Sequence, residues 1–385
     1  MSVRATLSPS PTVAIIGAGA IGLAIAWRLA QRGANLTVFD KGTAGMGASH
    51  AAAGMLAACA EAEPGEEKLI ALNRASQFLW PSFAEELERA ADMSIGYRTK
   101  GTLVIALTAD DQARLKHLLA FQNSLGLPLE WLPAAETRRR EPHLAPSIAG
   151  AVWSPQDHQV DNRALVAALR AAALGAGVVL REHAAVDRVE TNQGRITGIR
   201  VEGRVMSADF VIVAAGAWSR GITGLPPDAR PPVRPVKGQM LALRMDPKAP
   251  LLQHVVWAPG AYLVPRWDGR LLIGATVEEK GFDPDLTAGG QLSLLEATWR
   301  ALPGIEELPI DEMWVGFRPG SRDDAPIISA GPMPGLVYAT GHYRNGILLT
   351  PITAKAVADL ILDGAVDPLV RPFGLERFAP AVAAE

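Results

Sequence analysis

One cysteine, Cys59, stands in 385 residues. That excludes an intramolecular disulfide and a cysteine-built metal centre, and it suits a reducing compartment, here expected to be the cytoplasm. Histidine is also scarce, with 7 in the chain. No His-x-x-x-His pair and no Ser/His/Asp order occurs, so the sequence gives no metal site and no hydrolytic triad. His143 and His158 fall in proline-bearing, loop-like stretches, and His183 falls at what reads as a strand start, so all three are expected to be structural or exposed. Charge of one sign is missing too. The net charge is −3, which argues against a nucleic-acid surface or a basic membrane patch. Repeats are absent, and low complexity is confined to the alanine-rich end "FAPAVAAE". What remains is an ordinary globular composition, 49% hydrophobic and 20% charged, long enough for two domains.

The longest apolar run, Pro11–Ala30, is interrupted only by Arg28. Its length would suit a signal peptide or a membrane span. However, "MSVRATLSPS" before it carries one basic residue, and no small-residue cleavage site with a polar start follows. Its glycine spacing gives a better account, with the preceding residues as a short loose tail. "TVAIIGAGAIGLAIAWRLAQRGANLTVFDKG" reads as strand Val13–Ile16, a turn Gly17-x-Gly19-x-x-Gly22, helix Leu23–Gln31 closed by Gly33, and strand Leu36–Phe39. Gly17 permits the tight turn, Gly19 lets backbone approach a pyrophosphate, and Gly22 lets helix and strand pack closely. Free amides at the helix start meet the phosphates. Asp40 ends the second strand 23 positions after Gly17, where a carboxylate holds a ribose hydroxyl pair. The unit is a dinucleotide site, with NAD and FAD both open at this point.

Two segments favour flavin. "GASHAAAGML" (Gly47–Leu56) follows the second strand directly, and its small residues let backbone approach a flat ligand. "SADFVIVAAGAWS" (Ser207–Ser219) is a late strand that belongs beside the first, bringing Ala215 and Gly216 near the cofactor. A second, antiparallel region is visible in Tyr97–Leu107, Val233–Arg244, Tyr262–Val264, Leu271–Ala275 and Asp311–Phe317, with "WDGR" as a turn.

With "ASHAAAGML", "PVKGQM", "YLVPRWDGRLLIGAT", "GFRPGSRDDAPIIS" and "GHYRNGILL" in this order, the chain resembles the glycine oxidase (ThiO) branch of the D-amino-acid oxidase family, from about Val13 to Gly364. The resemblance implies an α/β fold: a doubly wound, Rossmann-like FAD domain, with an antiparallel sheet roofing the flavin. The division expected is 1–91, 152–230 and 317–385 for FAD, with 92–151 and 231–316 for the cap. The cofactor is expected to be non-covalent FAD, contacted by Gly17, Gly19, Ile21, Gly22, Asp40, Lys41, Ser49, His50, Ala52, Ala53, Gly54, Met55, Val186, Ala215, Gly216, Arg318, His342, Arg344, Asn345, Gly346, Ile347 and Leu348.

On the same resemblance, the amides of Asn345–Leu348 face the flavin pyrimidine. Thr350 and Pro351 suit the N-cap and first position of the next helix, "ITAKAVADLILDG". Arg318, fixed by Pro319, is expected to clamp a substrate carboxylate with two parallel hydrogen bonds. Tyr262 reaches the same group, and Arg344 sits at the rim. No general base is required, because a neutral amine held with its Cα hydrogen over flavin N5 loses hydride directly. The products are keto acid, ammonia and hydrogen peroxide, with O2 as the electron acceptor.

Three positions depart from the pattern. Trp257 stands where a tyrosine is expected, Val277 where a longer methionine is, and His50 where serine or threonine is. Together with Met55 the first two define an altered pocket, so sarcosine or a small D-amino acid joins glycine as an expected substrate. His50 adds a subordinate expectation, a covalent flavin link. Transfer of electrons to a quinone or carrier, or flavin binding without turnover, are the competing readings. Homo-oligomer formation is left open, and no integral membrane association is expected.

Overall fold

The glycine turn sets the geometry of the first layer. In the computed structural model, which describes residues 10–379, strand β1 (Thr12–Ile16) leads through it into helix α1 (Ala20–Gln31), and β2 (Asn35–Phe39) returns parallel to β1. The helix starts three residues earlier than the periodicity predicts, because the turn winds directly into it and places Gly22 in its first turn. A Cβ on Gly22 would lie 2.0 Å from the Gly17 carbonyl oxygen. Gly17 itself has φ +110°, and a Cβ there would lie 2.4 Å from the Ala214 carbonyl. Both positions therefore require glycine. Most of the expected loose tail, and most of the alanine-rich end, lie outside the described residues.

Six strands build the first sheet, in the order Ile327–Ala330, Leu336–Thr340, Phe210–Val213, β1, β2, Val179–Arg181. All neighbours are parallel except the first pair. Phe210–Val213 lies beside β1 as expected, so chain order reverses across that pair and opens a crevice at the strand ends. Helices α1, Asn162–Gly175 and Thr350–Asp363 pack on one face through a fully buried core that includes Leu23, Ile25, Leu29, Leu169 and Val357.

The second sheet has eight strands, in the order Ile310–Gly320, Arg234–Arg244, Arg270–Gly274, Ala261–Pro265, Val255–Ala258, Thr102–Ala106, Gly150–Ser154, Glu130–Pro133. It is antiparallel except where Val255–Ala258 runs parallel to Thr102–Ala106. Two of its strands, Gly150–Ser154 and Ile310–Gly320, run across the expected boundaries at 151/152 and 316/317. A small antiparallel sheet over Val186–Ser207 pairs with neither and packs on the first through Val189, Ile199 and Val211. His183 follows its strand rather than starting one, and is exposed with φ +56°. His143 is exposed, and His158 contacts the Tyr97 hydroxyl at 3.0 Å.

Helix Thr350–Asp363 ends at Gly364 in the left-handed conformation. Thr350 is its first residue rather than its N-cap. The chain is already coiling upstream, with Leu349 N donating to the Asn345 carbonyl at 2.8 Å, and the Thr350 hydroxyl donates back to the Gly346 carbonyl at 2.9 Å. No helix among the described residues is long and apolar enough to cross a membrane.

Candidate active site

The crevice at β1 continues beneath the second sheet as one cavity of about 560 Å³, within the size range of cofactor and ligand sites. At its deep end the amides of Gly19 and Ile21 have no acceptor among the described residues, while Ala20 N donates to the Ser49 hydroxyl at 3.0 Å. Two unpaired donors at a helix start, with glycine leaving the approach clear, make a cradle for a pyrophosphate. Asp40 is fixed by Ala18 N at 2.8 Å and Gly42 N at 2.9 Å. Each carboxylate oxygen keeps a further lone pair for a ribose hydroxyl. Lys41 Nζ lies 3.9 Å from the Trp218 ring centroid, and Val186, Ala215 and Gly216 complete this wall.

The alanine segment is not a core helix. Helix α2 (Ala48–Ala51) lasts one turn, after which the chain extends. Buried side chains hold the turn and the extension by their carbonyls. Arg266 donates to Ala53 O at 2.7 Å, Asn162 to Ser49 O at 2.8 Å, and Trp314 to Ala51 O at 3.1 Å. Ser49, Ala51, Ala52, Ala53, Gly54 and Met55 thereby line the cavity. His50 does not. The single helical turn directs it outward, toward the Arg163–Glu312 ion pair whose charges act on its ring. Gly22 also lies outside the lining and acts through packing.

The stretch after Leu336–Thr340 reverses at Gly341, φ +72°, and presents amides to the same cavity. Asn345 N is used internally, donating to the His342 carbonyl at 2.9 Å. Gly346, Ile347 and Leu348 N have no acceptor among the described residues. Ser76 Oγ at 2.6 Å and Trp80 Nε1 at 2.9 Å, one turn apart on helix Glu67–Ala91, both donate to the Leu348 carbonyl and fix this peptide. Leu348 does not line the cavity, and its side chain is buried in the core. His342 lines the cavity, bonds Thr353 Oγ1 at 3.1 Å, and is held neutral because burial pulls its pKa down to about 3.

The roof carries the remaining residues. Arg318 faces Val236 across two paired strands, and its guanidinium lies over Gly238, where a Cβ would come within 2.5 Å of Nη1. Nη1 donates to the Thr276 carbonyl at 3.0 Å. Among the described residues no carboxylate lies within ion-pair distance of Arg318. Tyr262 is half-buried, its pKa raised by desolvation although the Arg318 cation opposes the shift. Trp257 pairs with Tyr262 across the strands, rings 5.9 Å apart, and its buried Nε1 has no acceptor. Val277 lines the mouth rather than the interior, with 64% of its surface exposed. Arg344 is not a free cation, because Glu61 lies 3.0 Å from its Nε and Glu66 3.5 Å from its Nη2.

Sequence reasoning missed Glu61, which lines the cavity inside what reads as a solvated acidic run, "AEAEPGEE". It also missed the support beneath Arg318. Thr276 Oγ1 donates to Glu278 at 2.6 Å and accepts from Gln239 N at 2.9 Å, and Gln239 Nε2 reaches Glu278 at 2.8 Å. These bonds and Lys280 draw the Glu278 carboxyl down to about 2 against the cost of its desolvation. Fully buried Lys237 beside it pairs with Asp283 at 2.8 Å. "GATVEE" adjoins a noted motif, but nothing local shows that its carbonyl supports Arg318.

Two unpaired amide clusters, a glycine-cleared turn and a roofed cavity define a dinucleotide-dependent redox protein. Residues 12–360 match the DAO family model, FAD dependent oxidoreductase, and the chain belongs to that family. It is 38% identical over 95% or more of both chains to the glycine oxidase of Geobacillus kaustophilus (97% of this chain, 98% of that one). The crystal structure of glycine oxidase from that organism superposes with a TM-score of 0.88, covering 96% of this chain and 100% of that one. The bifunctional protein ThiO/ThiG of Synechocystis sp. is 41% identical over 95% of this chain, which spans 54% of that protein's length. An iminodiacetate oxidase from Chelativorans sp. has the same fold at 29% identity, TM-score 0.86, covering 94% and 98%. FAD is thus the cofactor that the donor set fits.

Proposed function

We propose that the protein is an FAD-dependent oxidase of glycine and small amines bearing a carboxylate. The observation that carries this reading is Arg318: a guanidinium with one backbone acceptor and no carboxylate partner among the described residues, facing a cavity shared with Tyr262 and the Gly346 and Ile347 amides. A cation left unpaired beside a ligand cavity is completed by an anionic ligand group, and the planar fork suits a carboxylate. The glycine oxidase relatives support the amino-acid reading. Non-covalent attachment is supported by the outward direction of His50.

When bound, FAD supplies two-electron acceptance and reoxidation by O2. Arg318 then orients the substrate through its carboxylate, with the Tyr262 hydroxyl as a second donor. The Gly346 and Ile347 amides, fixed through Ser76 and Trp80, aim dipoles where negative charge would develop, and fixed dipoles cost no reorganisation during reaction. The eight-stranded sheet excludes water. Overall, amino acid, O2 and water yield keto acid, ammonia and hydrogen peroxide.

A peroxide assay across glycine, sarcosine and D- and L-amino acids tests this reading. Glycine and sarcosine should be oxidised with comparable efficiency. The extra methyl is worth about 1 kcal/mol at most, and Val277 at the mouth leaves it room. Absence of peroxide, with anaerobic bleaching of the flavin retained, would move the protein to a dehydrogenase. No bleaching by any amino acid would refute catalysis on this class.

A further inference from the structure

Arg318 and Arg344 line one cavity but belong to poles of different charge. Arg318 has no carboxylate partner among the described residues, whereas Arg344 stands between Glu61 at 3.0 Å and Glu66 at 3.5 Å. Above about pH 7, where Glu61 is ionised, two carboxylates surround one guanidinium and leave that pole negative. Glu61 is the acid of this group that lines the cavity; its side chain is 9% exposed, and its Oε2 is buried without a hydrogen bond. Arg318, Tyr262 and Glu61 line the same cavity, and the charges of both poles act on the Tyr262 hydroxyl. Arg344, Asp157, Glu66, Glu63 and Tyr262 are the charged or titratable groups around Glu61.

We propose that Glu61 sets charge selectivity at the far end of the cavity: held on Arg344, its carboxylate admits a ligand with a neutral second arm and rejects one with a second carboxylate. The proposal rests on the reading that Arg318 takes the first carboxylate. A second carboxylate approaching Arg344 meets Glu61, itself largely shielded from water, and like charges repel. Replacing Glu61 by glutamine keeps the shape, balances the remaining Arg344–Glu66 pair, and frees part of the guanidinium fork for the ligand. Specificity then comes from a repulsive element against the wrong ligand. The acid thereby separates two substrate classes, N-alkyl glycines and iminodicarboxylates.

Methoxyacetate and diglycolate test this directly. They differ only by a second carboxylate, and neither has an amine to be oxidised. Calorimetric titration of the FAD-loaded protein above about pH 7, where Glu61 is ionised, should show wild type preferring methoxyacetate. Glu61→Gln should shift the ratio of the two dissociation constants at least tenfold toward diglycolate. The double variant Glu61→Gln/Arg344→Met should lose that shift, and Arg344→Met alone should move the ratio the other way. A ratio unchanged in Glu61→Gln, or a shift that persists without Arg344, overturns the proposal. Methoxyacetate that binds Arg318→Ala as tightly as wild type overturns it through the Arg318 reading. A wild type silent toward glycine and sarcosine sinks the oxidase reading instead, while the binding ratio still decides the role of Glu61.

Discussion

Two arginines line the same cavity, and their surroundings assign them different work. Arg318 leaves its strand over Gly238 with a single carbonyl to hold it, so most of its five donors face the cavity. Arg344 leaves a turn and is engaged by Glu61 and Glu66. The difference teaches that position beside a cavity does not make a cation available. Availability depends on which acids the fold brings to it, and those lie far away in sequence.

The comparison breaks most sharply at Arg318. Removing one partner of a desolvated charge pair costs about 2–5 kcal/mol, so Arg318→Ala should lose roughly 30- to 3,000-fold in kcat/KM for glycine. FAD absorbance and folding should be retained, and Arg318→Lys should recover only part of the loss because a point charge cannot form the fork. Oxidation of an amine without a carboxylate should be nearly equal in wild type and variant. An Arg318→Ala enzyme close to wild type on glycine would place the carboxylate elsewhere.

Next in size is Gly238→Ala. The added Cβ would come within 2.5 Å of Arg318 Nη1 and swing the guanidinium while leaving it charged. Misplacing an orienting group by about 1 Å can cost up to about 100-fold, so a loss on the order of tenfold in kcat/KM is expected, with thermal stability nearly unchanged. A variant equal to wild type would show that Arg318 need not lie where it does.

Arg344→Ala should cost glycine oxidation less than Gly238→Ala, because its charge is already engaged by the protein. A larger loss than that of Arg318→Ala would reverse the assignment of the two arginines.

The smallest effect is a pH dependence. Burial raises the Glu61 carboxyl to about 7, opposed by Arg344 and reinforced by Asp157, Glu66 and Glu63. A carboxyl raised above its unfolded value contributes stability that is full below about pH 4.5 and is lost as pH rises through about 7. Urea titrations should therefore show wild type losing stability relative to Glu61→Gln between pH 5 and 8. Parallel curves would show that Glu61 does not titrate there.

The first layer was legible because its determinants are local. Gly17, Gly19, Gly22 and Asp40 lie within 24 residues, and the backbone that they shape is the one they occupy. The alanine run was legible as a close-approach segment. Its release from helix was not, because the groups that hold it open, Arg266, Asn162 and Trp314, lie more than 100 positions away. His50 shows the same limit: its letter suggested a link to flavin, and one helical turn directs it away.

The sequence by itself determined the dinucleotide turn, the strand that returns beside it, the second antiparallel region and the identity of Arg318. Only the tertiary structure decided which cation is free. The amides at the start of the first helix are freed by the turn just before them, whereas ion pairing depends on every charge the fold gathers. Glu61 and Arg344 are 283 positions apart, and the charge on the far pole of the cavity is set by their meeting.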